Sequence, residues 1–439
     1  PTATPSVVPT ATPTSVPTAT PSVVPTALPS TCVLPVEWHQ MGDQVDGGHA
    51  WDEFGSVTSM SRSGNRVAAV AMYSDGHGTS LGSVRVYEFN WFTGVWSQLG
   101  DTIFGENDGD MINECHLSGD GNVLAVASDH NTDGGDMAGH VRVFKFDASS
   151  VTWDKMGGDI DGEAALDGFG ETVSLSYDGS IVATGADLND GNGLNAGHVR
   201  VYAYINDAWA QLGEDIEGEV ADERFGISVS LSGDGTILAV GAYYSDQVAE
   251  NAGYVQVFKY LSSSNAWTKQ GPAISGVGIN AFSGHFVALS HDGSRVSISS
   301  VEDFSGHVRL YEWIEMAWQQ LGEVISGHAS GDMAGMSTSL SFDGRHVAIG
   351  SPRNDAGAAD AGHVRVFQYC EAGKNWLQLG LDIEGVAAGD NCGSSVSLSG
   401  DGRCVVIGCP QSAGSSGYGY FTTHKLDDQP STVPTATPS

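Results

Sequence analysis

Four copies of Gly-His-Val-Arg put His140, His198, His307 and His363 in one repeated register, with Arg142, Arg200, Arg309 and Arg365 two residues further on and Arg85 in the same arginine place of a fifth copy. Imidazoles at regular intervals invite a zinc hypothesis. Zinc ligands must all lie about 2 Å from one ion, which residues a whole repeat apart do not achieve unless all face a common axis. Tyr254 and Tyr418 stand in the histidine register, as residues chosen for packing would, so no metal site is expected. The arginines share a strand face with the histidines. Five of the twelve arginines of a very acidic chain in one register are not random surface charge. They are expected to be structural, pairing with carboxylates between repeating units. A ring that binds anions is the sharper alternative, interrupted at Gln256 and Tyr420.

Other reactive side chains follow the same logic. Carboxylates such as Asp159, Asp215 and Asp382 recur at repeat-related places, as framework residues do, and no glycosidase-type pair or nucleophile with its base stands apart from the pattern. The expectation is a protein without catalytic residues and without a cofactor. Of the six cysteines, Cys392 and Cys409 fall on paired strands of one hairpin and are expected to form a disulfide. Cys32 is a candidate partner for Cys370 or Cys404.

The elements that must hold these residues are set by repetition. Trp38, Trp96, Trp153, Trp209, Trp267, Trp318 and Trp376 mark a unit of about 57 residues recurring seven times. Each unit has four strand-like segments, for instance Trp209 to Ile216, Phe225 to Leu231, Thr236 to Ala242 and Tyr254 to Tyr260. Ser-x-Asp-Gly between the second and third is a tight hairpin turn, Gly supplying positive φ and Asp bonding nearby backbone N–H groups. Seven such units predict an all-β, seven-bladed β-propeller of four-stranded antiparallel blades over residues 32–428. The last unit lacks its fourth strand, and the orphan segment Trp38 to Val45 is expected to supply it, closing the ring.

Phe54-Gly55, Phe169-Gly170 and Phe225-Gly226, followed by Gly185-Ala186, Gly241-Ala242, Gly350-Ser351-Pro352 and Gly408-Cys409-Pro410, resemble the FG-GAP repeat. That repeat builds the heads of integrin α-subunits and many extracellular proteins of microbes and algae. Met111, Ser283, Ala334 and Cys392 depart from it at the Phe position. The resemblance implies a propeller; it does not carry over the family's calcium sites, because Ser-x-Asp-Gly offers one carboxylate where calcium takes six to eight oxygens.

The flanks are a different material. Residues 1–31 repeat PTATPSVV-like octets and 429–439 end in PTATPS, both extended Pro/Thr-rich linkers. Thr2, Thr4, Thr10, Thr12, Thr18, Thr20, Thr26, Thr435 and Thr437 are O-glycosylation candidates on composition. With 18 Lys+Arg against 53 Asp+Glu, a net charge of −35 argues against nucleic acid, and no apolar run is long enough to span a bilayer as a helix. The expected role is a structural bead of an extracellular, secreted or cell-surface filament, sheath or matrix, with copies of itself as partners. The alternative is an adhesive or glycan-binding module.

Overall fold

A computed structural model describes residues 36–74, 80–301, 305–411 and 417–426. The O-glycosylation candidates and Cys32 lie outside them. The described residues form seven antiparallel sheets in a ring, a seven-bladed β-propeller. In the fourth blade Ser228–Leu231, Ile237–Ala242, Tyr254–Leu261 and Ala266–Lys269 run from the centre outward, and Ile274–Ser275 also pairs with the third of these. Second strands such as Ile-Leu-Ala-Val-Gly-Ala are buried at every position, because each blade is covered on both faces. The core is accordingly divided into seven clusters, one at each seam; Val199 and Val201 of the third blade meet Leu231, Leu238 and Val240 of the fourth.

Two girdles fasten the seams. At the centre the variable residue of each Ser-x-Asp-Gly-type turn donates its N–H to the carbonyl of the same residue in the next blade. Arg62 gives to Gly119, Gly119 to Tyr177, Tyr177 to Gly233, Gly233 to His291, His291 to Phe342, Phe342 to Gly400, and Gly400 back to Arg62, at 2.7–3.0 Å. At the rim, each marker tryptophan donates its indole N–H to a carbonyl of the preceding blade. Trp96 reaches Met41, Trp153 Leu99, Trp209 Met156, Trp267 Leu212, Trp318 Gln270, Trp376 Leu321, and Trp38 Leu379, at 2.7–3.0 Å. Both girdles close without a gap. The rim closes because Trp38–Gln40 pairs with Tyr420–Leu426 and completes the last blade, Trp38 opposite Leu426.

Several boundaries differ from the sequence reading. The innermost strand of the fourth blade begins at Ser228 rather than Phe225, since Arg224 (φ 56°) and Gly226 (φ 98°) make a turn that drives Phe225 into the core. Trp209 to Ile216, read as the first strand of the fourth unit, instead closes the third blade against His198–Ile205 and is broken into Ala208–Gln211 and Ile216–Glu217 by Gly213 at φ 84°. In the second blade the Phe place belongs to fully buried Ile112, not Met111, which takes the positive-φ position before it. In the last blade Cys409 faces Tyr420 as Ser351 faces His363, so Tyr420 rather than Tyr418 holds the histidine register. Thr422 then holds the arginine register, opposite Ile407 as Arg365 is opposite Ile349.

Candidate functional site

The register histidines and arginines gather at the seams, near the rim. Gly before each histidine is required there: at Gly197 (φ 79°) a Cβ would lie 2.1 Å from the Phe225 carbonyl oxygen. The histidine that follows is thereby pressed against the neighbouring blade. His140, His198 and His363 are at most 1% exposed, and neither ring nitrogen of any of them has a hydrogen-bond partner among the described residues. Burial, reinforced by the adjacent arginine, lowers the His198 pKa to about 4. Burial acts likewise on His307 and His363, both at about 4. These rings are neutral at neutral pH.

The arginines do not share one partner type. Arg200 matches the expectation of carboxylate pairing: its Nε and Nη2 grip Asp215 of its own blade at 2.9 and 2.7 Å, and Nη2 also meets Glu163 of the preceding one. Hydrogen bonds from Arg200 hold the Asp215 carboxyl below the usual range. Arg142 lies 3.4 Å from Glu106 and donates to the Phe104 carbonyl across the seam at 2.7 Å. The expectation is corrected at the other three. Arg365 donates to the Ser326 carbonyl at 2.7 Å, Arg309 to the Ser283 hydroxyl at 3.1 Å, and Arg85 lies over the Phe54 ring at 4.2 Å. The acceptor each finds depends on what the preceding blade offers: carboxylates line only some seams. Nor do these arginines converge on a common point as an anion ring would.

Cys392 and Cys409 are bonded, 4.1 Å apart at Cα, joining the loop before Ser395–Leu398 to the end of Cys404–Cys409. Cys370 is also disulfide-bonded. Cys404, a candidate for pairing, is a free buried thiol whose side chain packs into the apolar seam with Met60, Val67 and Ala69, with no other cysteine in that cluster among the described residues.

A further space is the central channel, about 530 Å³, walled by the innermost strands. Its turn end is stoppered by four of the variable turn residues. Arg62 sits 3.6 Å above the Phe342 ring, His291 stacks on the same ring at 3.7 Å, and Tyr177 meets His291 edge-on. The wall is largely serine, for a reason that sequence reading missed: Ser59, Ser174, Ser230, Ser339 and Ser397 each accept a backbone N–H from the next blade. His116 replaces serine in this ladder and accepts the Leu175 N–H on Nδ1 at 3.2 Å. Burial lowers the His116 pKa to about 4 and raises Glu114 to about 8, the latter partly offset by the Cys115 N–H. Glu171 is raised well above the usual range by burial and by Asp187, Asp129 and Glu114. His116 Nδ1 is thus committed to the wall as an acceptor.

The FG-GAP repeat family model matches residues 218–258, which cover the loop before the fourth blade and its three inner strands. No curated protein sequence matches the chain. Among solved structures, a Bacteroides uniformis ATCC 8492 protein provisionally named a 6-phosphogluconolactonase is 14% identical with a TM-score of 0.54, over 79% of this chain and 89% of that one. A Bacteroides fragilis NCTC 9343 protein of the same provisional name is 16% identical with a TM-score of 0.51, over 80% and 89%. Kuenenia stuttgartiensis hydrazine synthase is 13% identical with a TM-score of 0.50, over 87% and 95%. At such identities these likenesses speak to the fold alone. The protein is a seven-bladed β-propeller. More narrowly, its repeated Phe-Gly and Gly-Ala elements and the matched fourth unit make it an FG-GAP-like propeller.

Proposed function

We propose that this propeller is a non-catalytic structural bead of an extracellular assembly, carried on its Pro/Thr-rich segments and associating with copies of itself. The observation that carries this reading is ring closure by Trp38–Gln40 against Tyr420–Leu426, which joins both flanking segments to one edge of one blade. A disc hung by neighbouring points presents the rest of its rim and both faces to other molecules. Disulfides at Cys392–Cys409 and at Cys370 favour an oxidising, extracellular location. The stoppered, serine-walled channel favours a scaffold over an enzyme, and the net charge of −35 keeps beads hydrated and apart from nucleic acid. Native material is expected to run as an oligomer by light scattering and to show fibres or sheets by electron microscopy; strictly monomeric native material would refute the assembly. Because two structural neighbours carry a lactonase name, hydrolysis of 6-phosphogluconolactone is the matching enzymatic control, and turnover above background would refute the non-catalytic reading.

A glycan-binding or adhesive role is the second reading, favoured by aromatic rings left at the surface. Trp91 and Phe92, at the outer hairpin tip of the first blade, are 52% and 97% exposed, and Lys425 lies over the Trp91 ring at 5.0 Å. Such rings suit stacking on sugar faces. Selective binding on a glycan array, lost in Trp91→Ala, would put this reading first.

A further inference from the structure

The residue two places beyond the end of the outer strand pair meets the next blade's histidine at three seams, Glu106 beside His140, Glu163 beside His198 and His328 beside His363. At three seams it is a glutamate with a basic partner. Glu106 meets Arg142 and Lys155, Glu163 meets Arg200, and Glu219 meets Lys269. Between the fifth and sixth blades the place is taken by His328, held by the Gly327 N–H bond to the Gly306 carbonyl. The carboxylate that would neutralise Arg365 is therefore missing there, and Arg365 turns to the Ser326 carbonyl instead. Asp382, in the place where Asp215 is gripped by Arg200, is left facing two imidazoles.

We propose that His328, His363 and Asp382 form a three-ligand site for a divalent transition-metal ion of the zinc class, with one coordination position open. His363 Nδ1 and His328 Nδ1 lie 3.6 and 3.7 Å from the same oxygen, Asp382 Oδ2, and the three ligand atoms are all within 4.8 Å of one another. Tetrahedral zinc with bonds of about 2.0–2.1 Å places its ligands roughly 3.3 Å apart, so a small closure of the half-exposed His328 suffices. The two rings are 5.3 Å apart at 72°, which leaves both nitrogens free to aim at one point. His363 is fully buried with both ring nitrogens unpartnered, a cost that a bound ion would remove. Gln378 Nε2 donates to Asp382 Oδ1 at 2.6 Å and leaves Oδ2 as the ligand, the orienting contact that metal-binding carboxylates have. At the two other seams where carboxylates gather at a register histidine, Glu106 meets Arg142 and Lys155, and Glu163 and Asp215 are held by Arg200.

The test uses the full chain, freed of metal with chelator and dialysed. Titration with zinc chloride is expected to show one equivalent bound, and cobalt(II) is expected to give the visible absorption of a four-coordinate ion. His328→Ala, at a half-exposed position, should melt like the parent without metal yet lose the cobalt spectrum and at least roughly 100-fold in zinc affinity, while Gln378→Ala should lose roughly 10–100-fold. Glu163→Gln, at the seam where Arg200 holds the carboxylates, should leave both readings unchanged. The proposal is overturned if no saturable binding occurs at micromolar zinc, or if His328→Ala binds as the parent does.

Discussion

The inner and outer girdles perform the same task with different chemistry. At the rim the donor is a side chain, so every blade needs tryptophan, and Trp38 to Trp376 stand out in the sequence as a ruler. At the centre donor and acceptor are both backbone, so the residue that makes the bond can be Arg62, Gly119, Tyr177, His291 or Phe342. A seam fastened by side chains writes itself into the sequence; one fastened by main chain leaves only the turn that positions it. The rim should therefore be sensitive to side-chain deletion and the centre largely indifferent at the variable position.

The largest effect expected from this contrast is at the rim. Trp153 is 9% exposed, meets the Phe146 ring at a tilt with centroids 5.3 Å apart and bonds to Leu99 across the seam. Trp153→Ala should cost about 3–5 kcal/mol in urea unfolding. Trp153→Phe, which keeps a ring but loses the donor, should cost less than the alanine variant, with about 1 kcal/mol of it from the lost bond. Equal costs for the two variants would mean that the hydrogen bond, not the packing, fastens the rim. Next comes the seventh blade, where the Cys392–Cys409 bond spans 17 residues. A loop of that size restricts the unfolded chain by about 3 kcal/mol, so the double serine variant should lose about that much by the same measurement. At the centre Asp234→Ala should cost about 1–2 kcal/mol. The Asp234 carboxylate accepts from the Ser232 hydroxyl at 2.7 Å and the Thr236 N–H at 3.0 Å, and so fixes the turn rather than the inter-blade bond. A loss at Asp234 as large as that at Trp153 would remove the distinction between the girdles.

What the sequence revealed divides along the same line. Blade number, the tight turns and the N-terminal strand in the last blade were legible because each rests on a repeated side-chain signature or on one missing segment. Arg200 was legible because its partners Glu163 and Asp215 are charged and repeat-related. Arg309 and Arg365 were not, since a serine hydroxyl and a main-chain carbonyl carry no such mark. His328 escaped for a different reason: it lies outside the Gly-His-Val-Arg register, and only alignment of the place after each outer strand, Glu106, Glu163 and Glu219, makes it conspicuous. The serine ladder was hidden by its ordinariness, because alternating serine on a strand reads as polar surface.

That ladder supplies the smallest and most specific test. His116 accepts the Leu175 N–H on Nδ1 where the other rungs use serine oxygen, so the imidazole must stay neutral to keep the bond. Burial lowers its folded pKa from 6.5 to about 4. Between those values the unfolded chain binds the proton that the folded one refuses, so His116 favours folding above pH 6.5 and loses that contribution as pH falls towards 4. The loss amounts to about 1 kcal/mol by pH 6. Glu114 has the opposite sign: its pKa is raised from 4.5 to about 8 by burial, so its contribution is fully present below 4.5 and lost as pH rises through 8. His116→Ser restores the rung found in five other blades and removes the titrating ring. Thermal melts from pH 7.5 to 5 should then fall less steeply than in the parent, while Glu114→Gln, which removes a contribution that grows as pH falls over the same range, should make them fall more steeply. Parallel acid limbs in His116→Ser and parent would show that His116 Nδ1 is not the acceptor of the Leu175 N–H.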